Sequence, residues 1–286
     1  MYSLLISAPQ LQQLLTDAAQ RTVVMDCSFD LARPEAADAL FAEVRIAGAL
    51  QAHLERDLST HDAALAVNGG RHPLPHREAV AAWLGRMGVD NSTQVVVYDR
   101  NGCNYCGRLW WMLKWLGHEA VAVLDGGLQA WQAAGGATEN GPAPATQARS
   151  FELRAPLRQL VTTNTVVAQL GRPVQTLVDA RGAPRYRGDV EPLDPVAGHI
   201  PGALNRPFTD NFTAEGRFKP AEQLRQEWQA VLGQRPAGTV VHHCGSGVSA
   251  VPNLLSMELA GYGPTQLYAG SWSEWCRTSG LPCAKG

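Results

Sequence analysis

Cys244 is the residue whose surroundings most clearly predict chemistry. It heads the loop Cys244-Gly245-Ser246-Gly247-Val248-Ser249, which follows a β-branched run at 239–241 and precedes apolar residues at helical spacing. Glycines let such a loop turn tightly, and the start of the following helix favours an anion. Because the thiolate is the reactive form of cysteine, the pattern predicts a sulfur nucleophile. A buried cysteine beside a glycine-rich turn is the alternative.

Two other cysteine patterns are weaker signals. Cys103 and Cys106 form a C-x-x-C pair, which occurs in redox and metal sites, but the chain has no second such pair to complete a zinc site. Two unpaired thiols are the simpler interpretation. His242 and His243 precede Cys244, but neighbours on a strand point to opposite faces, so they predict no metal site.

The elements that must position this loop alternate between strand and helix. Such alternation predicts an α/β fold in which parallel sheets are flanked by helices. In the first half of the chain, the predicted strands are 22–26, 94–99 and 121–124, and the predicted helices are 11–19, 77–87 and 106–116.

The second half of the chain repeats the landmarks of the first. Ile200-Pro201-Gly202-Ala203-Leu204 answers Ile46-Ala47-Gly48-Ala49-Leu50, and Asp179 ends a strand-like run as Asp26 does. The repeat predicts a duplicated α/β domain. The predicted parts are an N-terminal, non-catalytic domain at 1–136, a linker at 137–150 and a C-terminal catalytic domain at 151–286.

Aligning the two halves also predicts which one is catalytic. When Val97 is matched with Val241, Arg100 stands where the second half has Cys244. The first domain is therefore expected to lack a nucleophile.

Composition excludes several classes of function. The chain has 286 residues, of which 45% are hydrophobic, and a formal net charge of −2. This balance argues against nucleic acid or an anionic membrane surface as a partner. The first residues lack a basic segment, and no apolar run is long enough to span a bilayer. Six cysteines in a chain of this length favour a reducing compartment, so a cytoplasmic protein is expected.

Three segments together resemble the tandem-domain rhodanese sulfurtransferases, and the resemblance covers nearly the whole chain. They are His199-Ile200-Pro201-Gly202-Ala203, the cysteine loop, and Tyr268-Ala269-Gly270-Ser271-Trp272-Ser273-Glu274-Trp275. The resemblance implies two rhodanese-like domains. Within the family, the loop C-G-S-G-V-S-A is similar to C-G-S-G-V-T-A of the mercaptopyruvate branch. The thiosulfate branch carries Arg and Lys where Gly245 and Ser246 stand.

The resemblance implies roles for four catalytic residues. Cys244 would accept sulfur as a persulfide, and Ser246 would relay a proton. His72 would orient Ser246 across the cleft between the domains, and Glu55 would hold His72. Ser246 is alternatively a helix cap, and His72 an exposed turn histidine.

Substrate binding is implied for the loop and for two arginines. Arg185 would hold the donor's carboxylate. The family carries a second arginine in the loop at 189–197; this chain has none there, and Arg187 is the candidate replacement. Arg181 is expected to pair with an acid of its own domain. The loop residues expected to contact substrate are Gly245, Gly247, Val248 and Ser249.

The implied function is transfer of sulfane sulfur from 3-mercaptopyruvate through a Cys244 persulfide to a thiol or cyanide, with release of pyruvate. Thioredoxin is a candidate acceptor, and no metal or organic cofactor is implied. Two alternatives remain open: a thiosulfate sulfurtransferase, and a persulfide-carrier module that serves a protein partner. The neutral Gly245-Ser246 pair favours mercaptopyruvate over the compact thiosulfate dianion.

Overall fold

The chain builds two separate parallel sheets in a computed structural model that describes every residue from 1 to 286. Each sheet belongs to its own unit. The first unit comprises Met1–Ser59, Pro75–Leu157 and Thr213–Arg217. The second comprises Thr60–Leu74, Arg158–Phe212 and Phe218–Gly286.

The first sheet has five parallel strands, and its central strands are buried β-branched runs. A separate antiparallel pair is formed by β3 (Arg45–Ile46) and β7 (Thr138–Glu139). The strand order is β1-β6-β5-β2-β4, where the strands are β1 (Leu5–Ile6), β2 (Thr22–Asp26), β4 (Leu50–Gln51), β5 (Gln94–Tyr98) and β6 (Val121–Leu124).

Helices of the first unit carry much of its core. Every residue of α4 (Cys106–Trp115) is buried, including Arg108 and Lys114, and Trp110 and Trp111 are fully enclosed. The helices are α1 (Ala8–Thr16), α2 (Ala37–Glu43), α3 (Arg77–Arg86), α4 (Cys106–Trp115) and α5 (Gly127–Ala133).

The second unit repeats this plan with four parallel strands in the order β11-β10-β8-β9. Trp228, Trp272 and Trp275 are fully buried in it. Its strands are β8 (Thr176–Asp179), β9 (Leu204–Asn205), β10 (Val240–His243) and β11 (Gln266–Leu267). Its helices are α6 (Thr163–Gln169), α7 (Ala183–Arg187), α8 (Ala221–Leu232), α9 (Val251–Leu259) and α10 (Ser271–Trp275).

The segment 60–74 lies in the first half of the chain but belongs to the second unit. The Thr60 N–H donates to the Pro73 carbonyl at 3.0 Å, and the Val67 N–H donates to the Leu74 carbonyl at 2.8 Å. These bonds close the segment into a loop. Two residues with candidate roles in the site, Arg71 and His72, therefore lie in the unit that contains Cys244.

The predicted α/β fold with two parallel sheets flanked by helices is confirmed. The strands 22–26 and 121–124 have the predicted bounds, but α1 begins at Ala8 rather than at residue 11. The reason is a capping box, in which Ser7 and Gln10 each bond the other's backbone N–H. None of the helices combines the length and apolar character needed to cross a bilayer.

Candidate active site

Cys244 lies directly after β10, at the carboxyl end of the second sheet, where ligands bind in open α/β sheets. It is 2% exposed. Gly247 has φ of +73°, and a Cβ there would collide with the Ala269 carbonyl, so only glycine fits this turn. The loop then leads into α9, as the sequence predicts.

The segment that carries α10 fixes the loop in place. The Trp272 N–H donates to the Cys244 carbonyl at 3.0 Å, and the Ser273 N–H donates to the Gly245 carbonyl at 2.8 Å. The Ser271 hydroxyl accepts from the Cys244 N–H at 3.1 Å and donates to the Tyr268 carbonyl at 2.9 Å. Sequence reasoning assigned no role to Ser271, although it lies in the quoted Tyr268–Trp275 motif.

The first unit contains a loop of the same length at the same place in its sheet. The Cys27 N–H donates to the Tyr98 carbonyl, and the Ala180 N–H donates to the His243 carbonyl, both at 2.8 Å. Tyr98 is therefore the counterpart of His243, and the following Asp99 is the counterpart of Cys244. In each unit the next helix, α4 or α9, begins seven residues after that position (106 − 99 and 251 − 244).

This register corrects the alignment of the two halves by one residue. The sequence comparison placed Arg100 opposite Cys244, but the counterpart is Asp99, and Arg100 corresponds to Gly245. The backbone hydrogen bonds support this register, because the Asp99 carbonyl accepts from the Leu128 N–H at 3.2 Å just as the Cys244 carbonyl accepts from the Trp272 N–H. The expectation that the first unit has no nucleophile at this position stands, with aspartate in place of the cysteine.

Asp99 shows that this loop geometry binds an anion. Its Oδ1 accepts from the backbone N–H groups of Asn101 at 2.8 Å and Cys103 at 3.1 Å. Its Oδ2 accepts from those of Tyr105 at 2.8 Å and Cys106 at 2.9 Å. Burial raises the pKa of this carboxyl, and the N–H donors oppose that by favouring its ionised form. The N–H groups at the corresponding positions of the second loop belong to Ser246, Val248, Ala250 and Val251, of which that of Val251 donates to the Val248 carbonyl at 3.2 Å.

Ser246 and His72 meet as predicted, but the contact does not join two domains as the sequence analysis expected. The Ser246 hydroxyl and His72 Nδ1 are 2.7 Å apart, and both side chains are buried. His72 is placed by its neighbour Arg71, whose N–H donates to the Ser273 hydroxyl at 3.0 Å. Both partners belong to the second unit, so this contact is internal to it. The interpretation of His72 as an exposed turn histidine is wrong.

Glu55 lies in the first unit, in a turn where its N–H donates to His53 Nδ1 at 3.2 Å. It is half-buried. Its predicted role in holding His72 stays a prediction.

Arg185 lies on α7 and is held by acids of the 189–197 loop. Its Nη2 is 2.7 Å from Glu191 Oε1 and 3.5 Å from Asp194 Oδ2. Arg187, on the same helix, pairs with Asp189 at 2.7 Å, and both of these side chains are about half exposed. Its substrate-binding role stays a prediction. Arg181 pairs with Asp179 at 2.7 Å, which confirms that it bonds an acid of its own domain.

Arg71 is the site residue that sequence reasoning missed. Its Nη1 forms an ion pair with Asp194, and its Nη2 lies 2.7 Å from the point where a Cβ on Gly245 would stand. The same point is 3.6 Å from Arg185 Nη1. The loop itself carries no cation, but two guanidinium groups adjoin it from outside. The only available signal was that Arg71 precedes His72.

Cys103 and Cys106 are unpaired and buried. Burial raises the pKa of both thiols, which keeps them protonated and unreactive near neutral pH. No group of three or more His, Cys, Asp or Glu side chains has the geometry to hold a metal ion. The interpretation that these two thiols have no redox or metal role stays a prediction.

Comparison with known proteins identifies the family. The Rhodanese-like domain family matches residues 7–134 and 162–278, so that it covers most of both halves. The chain belongs to the rhodanese-like family. Its two matches follow the order of the two sheets, and the loop with Cys244 lies in the second.

Several relatives match this tandem rhodanese-like chain over much of its length. It is 45% identical over 285 residues to a probable 3-mercaptopyruvate sulfurtransferase of Pseudomonas aeruginosa, covering 99% of this chain and 98% of the relative. It is 35% identical over 207 residues to a thiosulfate sulfurtransferase of Gallus gallus, covering 71% and 70%. The solved structure of 3-mercaptopyruvate sulfurtransferase from Leishmania major superposes with a TM-score of 0.81 at 28% identity, covering 96% and 74%.

Proposed function

We propose that this protein transfers sulfur from 3-mercaptopyruvate to a thiol or cyanide and releases pyruvate. The observation that carries the proposal is the 2.7 Å contact between His72 and Ser246, which lies in the loop headed by Cys244. This contact supports a role for the pair as a proton relay beside a sulfur nucleophile. The name of the Pseudomonas aeruginosa relative supports the choice of donor.

The first step forms a persulfide. The Cys244 thiolate attacks the sulfur of 3-mercaptopyruvate, an S–S bond forms and the S–C bond breaks. The electron pair of that bond passes to the three-carbon fragment, which leaves as the pyruvate enolate and takes up a proton. Ser246 and His72 relay this proton, because their shared hydrogen bond leaves each able to give one and receive another.

The second step returns the enzyme to its starting state. An acceptor thiolate attacks the outer sulfur of the Cys244 persulfide, the S–S bond breaks and Cys244 leaves as a thiolate. No net oxidation occurs, because the acceptor thiol becomes the new persulfide. The N–H groups of Ser246, Val248 and Ala250 correspond in sequence to three of the donors to Asp99 and are proposed to stabilise both the thiolate and the persulfide anion.

The partners follow from this chemistry. A small thiol or thioredoxin is the proposed acceptor, and the cytoplasm, where thiols stay reduced, is the proposed location. No metal or organic cofactor takes part in either step. Glu55 is proposed to orient His72, and Gly245, Gly247, Val248 and Ser249 to form the wall around the transferred sulfur.

Thiosulfate is the second candidate donor. Arg71 and Arg185 both adjoin Gly245, so a dianion near Cys244 would be stabilised by two cations. The Gallus gallus relative is named for this substrate. This arrangement reduces the selectivity that the neutral Gly245-Ser246 pair predicts.

Purified protein tests both candidates directly. Incubation with 3-mercaptopyruvate should release pyruvate and add the mass of one sulfur atom to the peptide that contains Cys244. Cys244→Ser should do neither while keeping its circular dichroism spectrum. A higher kcat/KM for thiosulfate than for 3-mercaptopyruvate would reverse the order of the candidates, and sulfur found on Cys103 or Cys106 would refute the proposal.

A further inference from the structure

Two arginines from distant parts of the sequence converge on the same residue of the active-site loop. Arg71 comes from the segment 60–74, and Arg185 comes from α7. Their nearest guanidinium nitrogens lie 2.7 Å and 3.6 Å from the position that a Cβ on Gly245 would occupy. Glycine therefore leaves open a space that both cations adjoin, one residue from the nucleophile.

Buried acids hold both arginines beside this space. Asp194 pairs with Arg71 Nη1, whereas the Arg71 nitrogen nearest to Gly245 is Nη2. Glu191 binds Arg185 through Nε and Nη2, and Arg185 Nη1 and Nη2 lie 3.6 Å and 3.7 Å from the Cβ position on Gly245. Each guanidinium is thus held by a carboxylate while a terminal nitrogen lies beside the loop, which suits a preorganised anion site.

Charge and exposure agree with a site for an anionic ligand. The Asp194 and Glu191 side chains are almost fully enclosed, whereas those of Arg71 and Arg185 remain about one-fifth exposed. Asp194 also pairs with Arg277 at 2.8 Å, and Glu191 also pairs with Arg181 at 3.2 Å. Each enclosed carboxylate thus pairs with more than one arginine, and Arg71 and Arg185 are the ones that adjoin the loop.

We propose that Arg71 and Arg185 together bind the carboxylate of the sulfur donor, and that Arg71 takes the place of the second arginine absent from the 189–197 loop. The 189–197 loop supplies no cation itself, but its Asp194 forms an ion pair with Arg71 and thereby positions it. Arg71 is thereby a specificity-determining residue for donors whose carboxylate is attached to the ketone carbon, next to the carbon that bears sulfur. This inference rests on the proposed function for its choice of donor.

The test compares two donors that differ only in the carboxylate. They are 3-mercaptopyruvate and 1-mercaptopropan-2-one, which has the same thiol and ketone but a methyl group in place of the carboxylate. Arg71→Ala should lower kcat/KM for 3-mercaptopyruvate roughly ten- to a hundredfold, mainly through KM, because a charge-assisted contact is lost. It should change the value for 1-mercaptopropan-2-one less than about threefold. Arg71→Lys should recover part of the loss.

Arg277→Ala is the matched control, since it removes a cation that also pairs with Asp194 but is not among the groups nearest Gly245. It should leave the ratio between the two donors unchanged. Equal losses on both donors in Arg71→Ala would leave the ratio of kcat/KM unchanged. They would make Arg71 a structural residue and overturn the inference, as would no loss on either donor.

A binding measurement separates this inference from the proposed function. The probe is 3-mercaptopropionate, which carries a thiol and a carboxylate but no ketone and cannot release pyruvate. Titration calorimetry should show weaker binding to Arg71→Ala than to wild type by roughly ten- to a hundredfold. If wild type binds the probe in this way yet turns over no donor, the proposed function fails and the anion site stands. If both proteins bind the probe equally, the anion site fails.

Discussion

The loop after β5 and the loop after β10 have the same length and the same place in their sheets, but they are filled differently. In the first unit the leading residue is Asp99, whose carboxylate takes four backbone N–H groups of its own loop. In the second unit the leading residue is Cys244, which has no carboxylate to accept such bonds. We infer from the comparison that the first loop residue decides whether the loop is closed by its own side chain or available to a ligand.

The second residue of the loop, Arg100 in the first unit and Gly245 in the second, also differs between the units. Arg100 directs its guanidinium away from its loop, to the Leu40 and Val44 carbonyls, with Asp26 Oδ2 at 3.7 Å. Its counterpart Gly245 has no side chain, and the space is adjoined by Arg71 and Arg185. At this position the first loop thus carries an arginine bonded to its own unit, whereas the second loop has a glycine that two arginines from outside the loop adjoin.

The largest expected effect comes from giving the second loop the first residue of the other. Cys244→Asp should abolish sulfur transfer and should unfold with a free energy about 1–3 kcal/mol higher than that of Cys244→Ala, because the carboxylate accepts the loop N–H groups. Urea denaturation of the two variants measures the difference. A less stable Cys244→Asp would show that these N–H groups do not converge as they do around Asp99.

The reverse change should cost stability in the first unit. Asp99→Ala removes the acceptor of four N–H groups in a buried loop, so the free energy of unfolding should fall by about 3–5 kcal/mol. Asp99→Asn, which keeps one acceptor oxygen, should lose less. Equal stability of Asp99→Ala and wild type by urea denaturation would contradict the view that the carboxylate closes this loop.

The strands that lead into the two loops should differ in their response to acid. β10 ends in His242 and His243, where β5 has Val97 and Tyr98. Burial lowers the pKa of both imidazoles and brings that of His242 to about 3. Both rings stay neutral in the folded protein as pH falls below about 6.5, while the unfolded chain takes up protons.

The unfolding free energy should therefore fall as the pH drops below about 6.5, by up to about 1.4 kcal/mol per pH unit for each histidine. Above that pH the contribution is constant. His242→Val, which copies the first unit, should have a shallower slope between pH 6.5 and 5, whatever its absolute stability. An unchanged slope in urea denaturation at several pH values would show that His242 titrates normally.

The smallest expected effect concerns the missing side chain at position 245. Gly245→Ala puts a methyl group 2.7 Å from Arg71 Nη2, so the flexible guanidinium must shift. KM for 3-mercaptopyruvate should rise roughly three- to tenfold with little change in kcat. In the Arg71→Ala background the same substitution should change KM much less. Additive effects would mean that Gly245 and Arg71 act independently.

Sequence patterns were enough for the sheets, the cysteine loop and the pairing of Ser246 with His72. Alternating strand and helix signals are local, and the motif residues resemble a known family. The alignment of Asp99 with Cys244 was missed, because the register between the halves is set by ladder hydrogen bonds that the letters do not show. Arg71 was missed because its partner Asp194 is more than a hundred residues away in the chain.

The segment 60–74 has a consequence for how the duplicated gene can change. Deleting the first copy would remove Arg71 and His72 along with it, although the nucleophile and its loop would remain intact. The first copy thus supplies fifteen residues, 60–74, to the unit that contains Cys244, which is a reason for its retention even if it catalyses no reaction of its own. Selection on sulfur transfer would then act on both copies at once. A rearrangement that separated the copies would remove both Arg71, proposed to bind the donor, and His72, proposed to relay the proton.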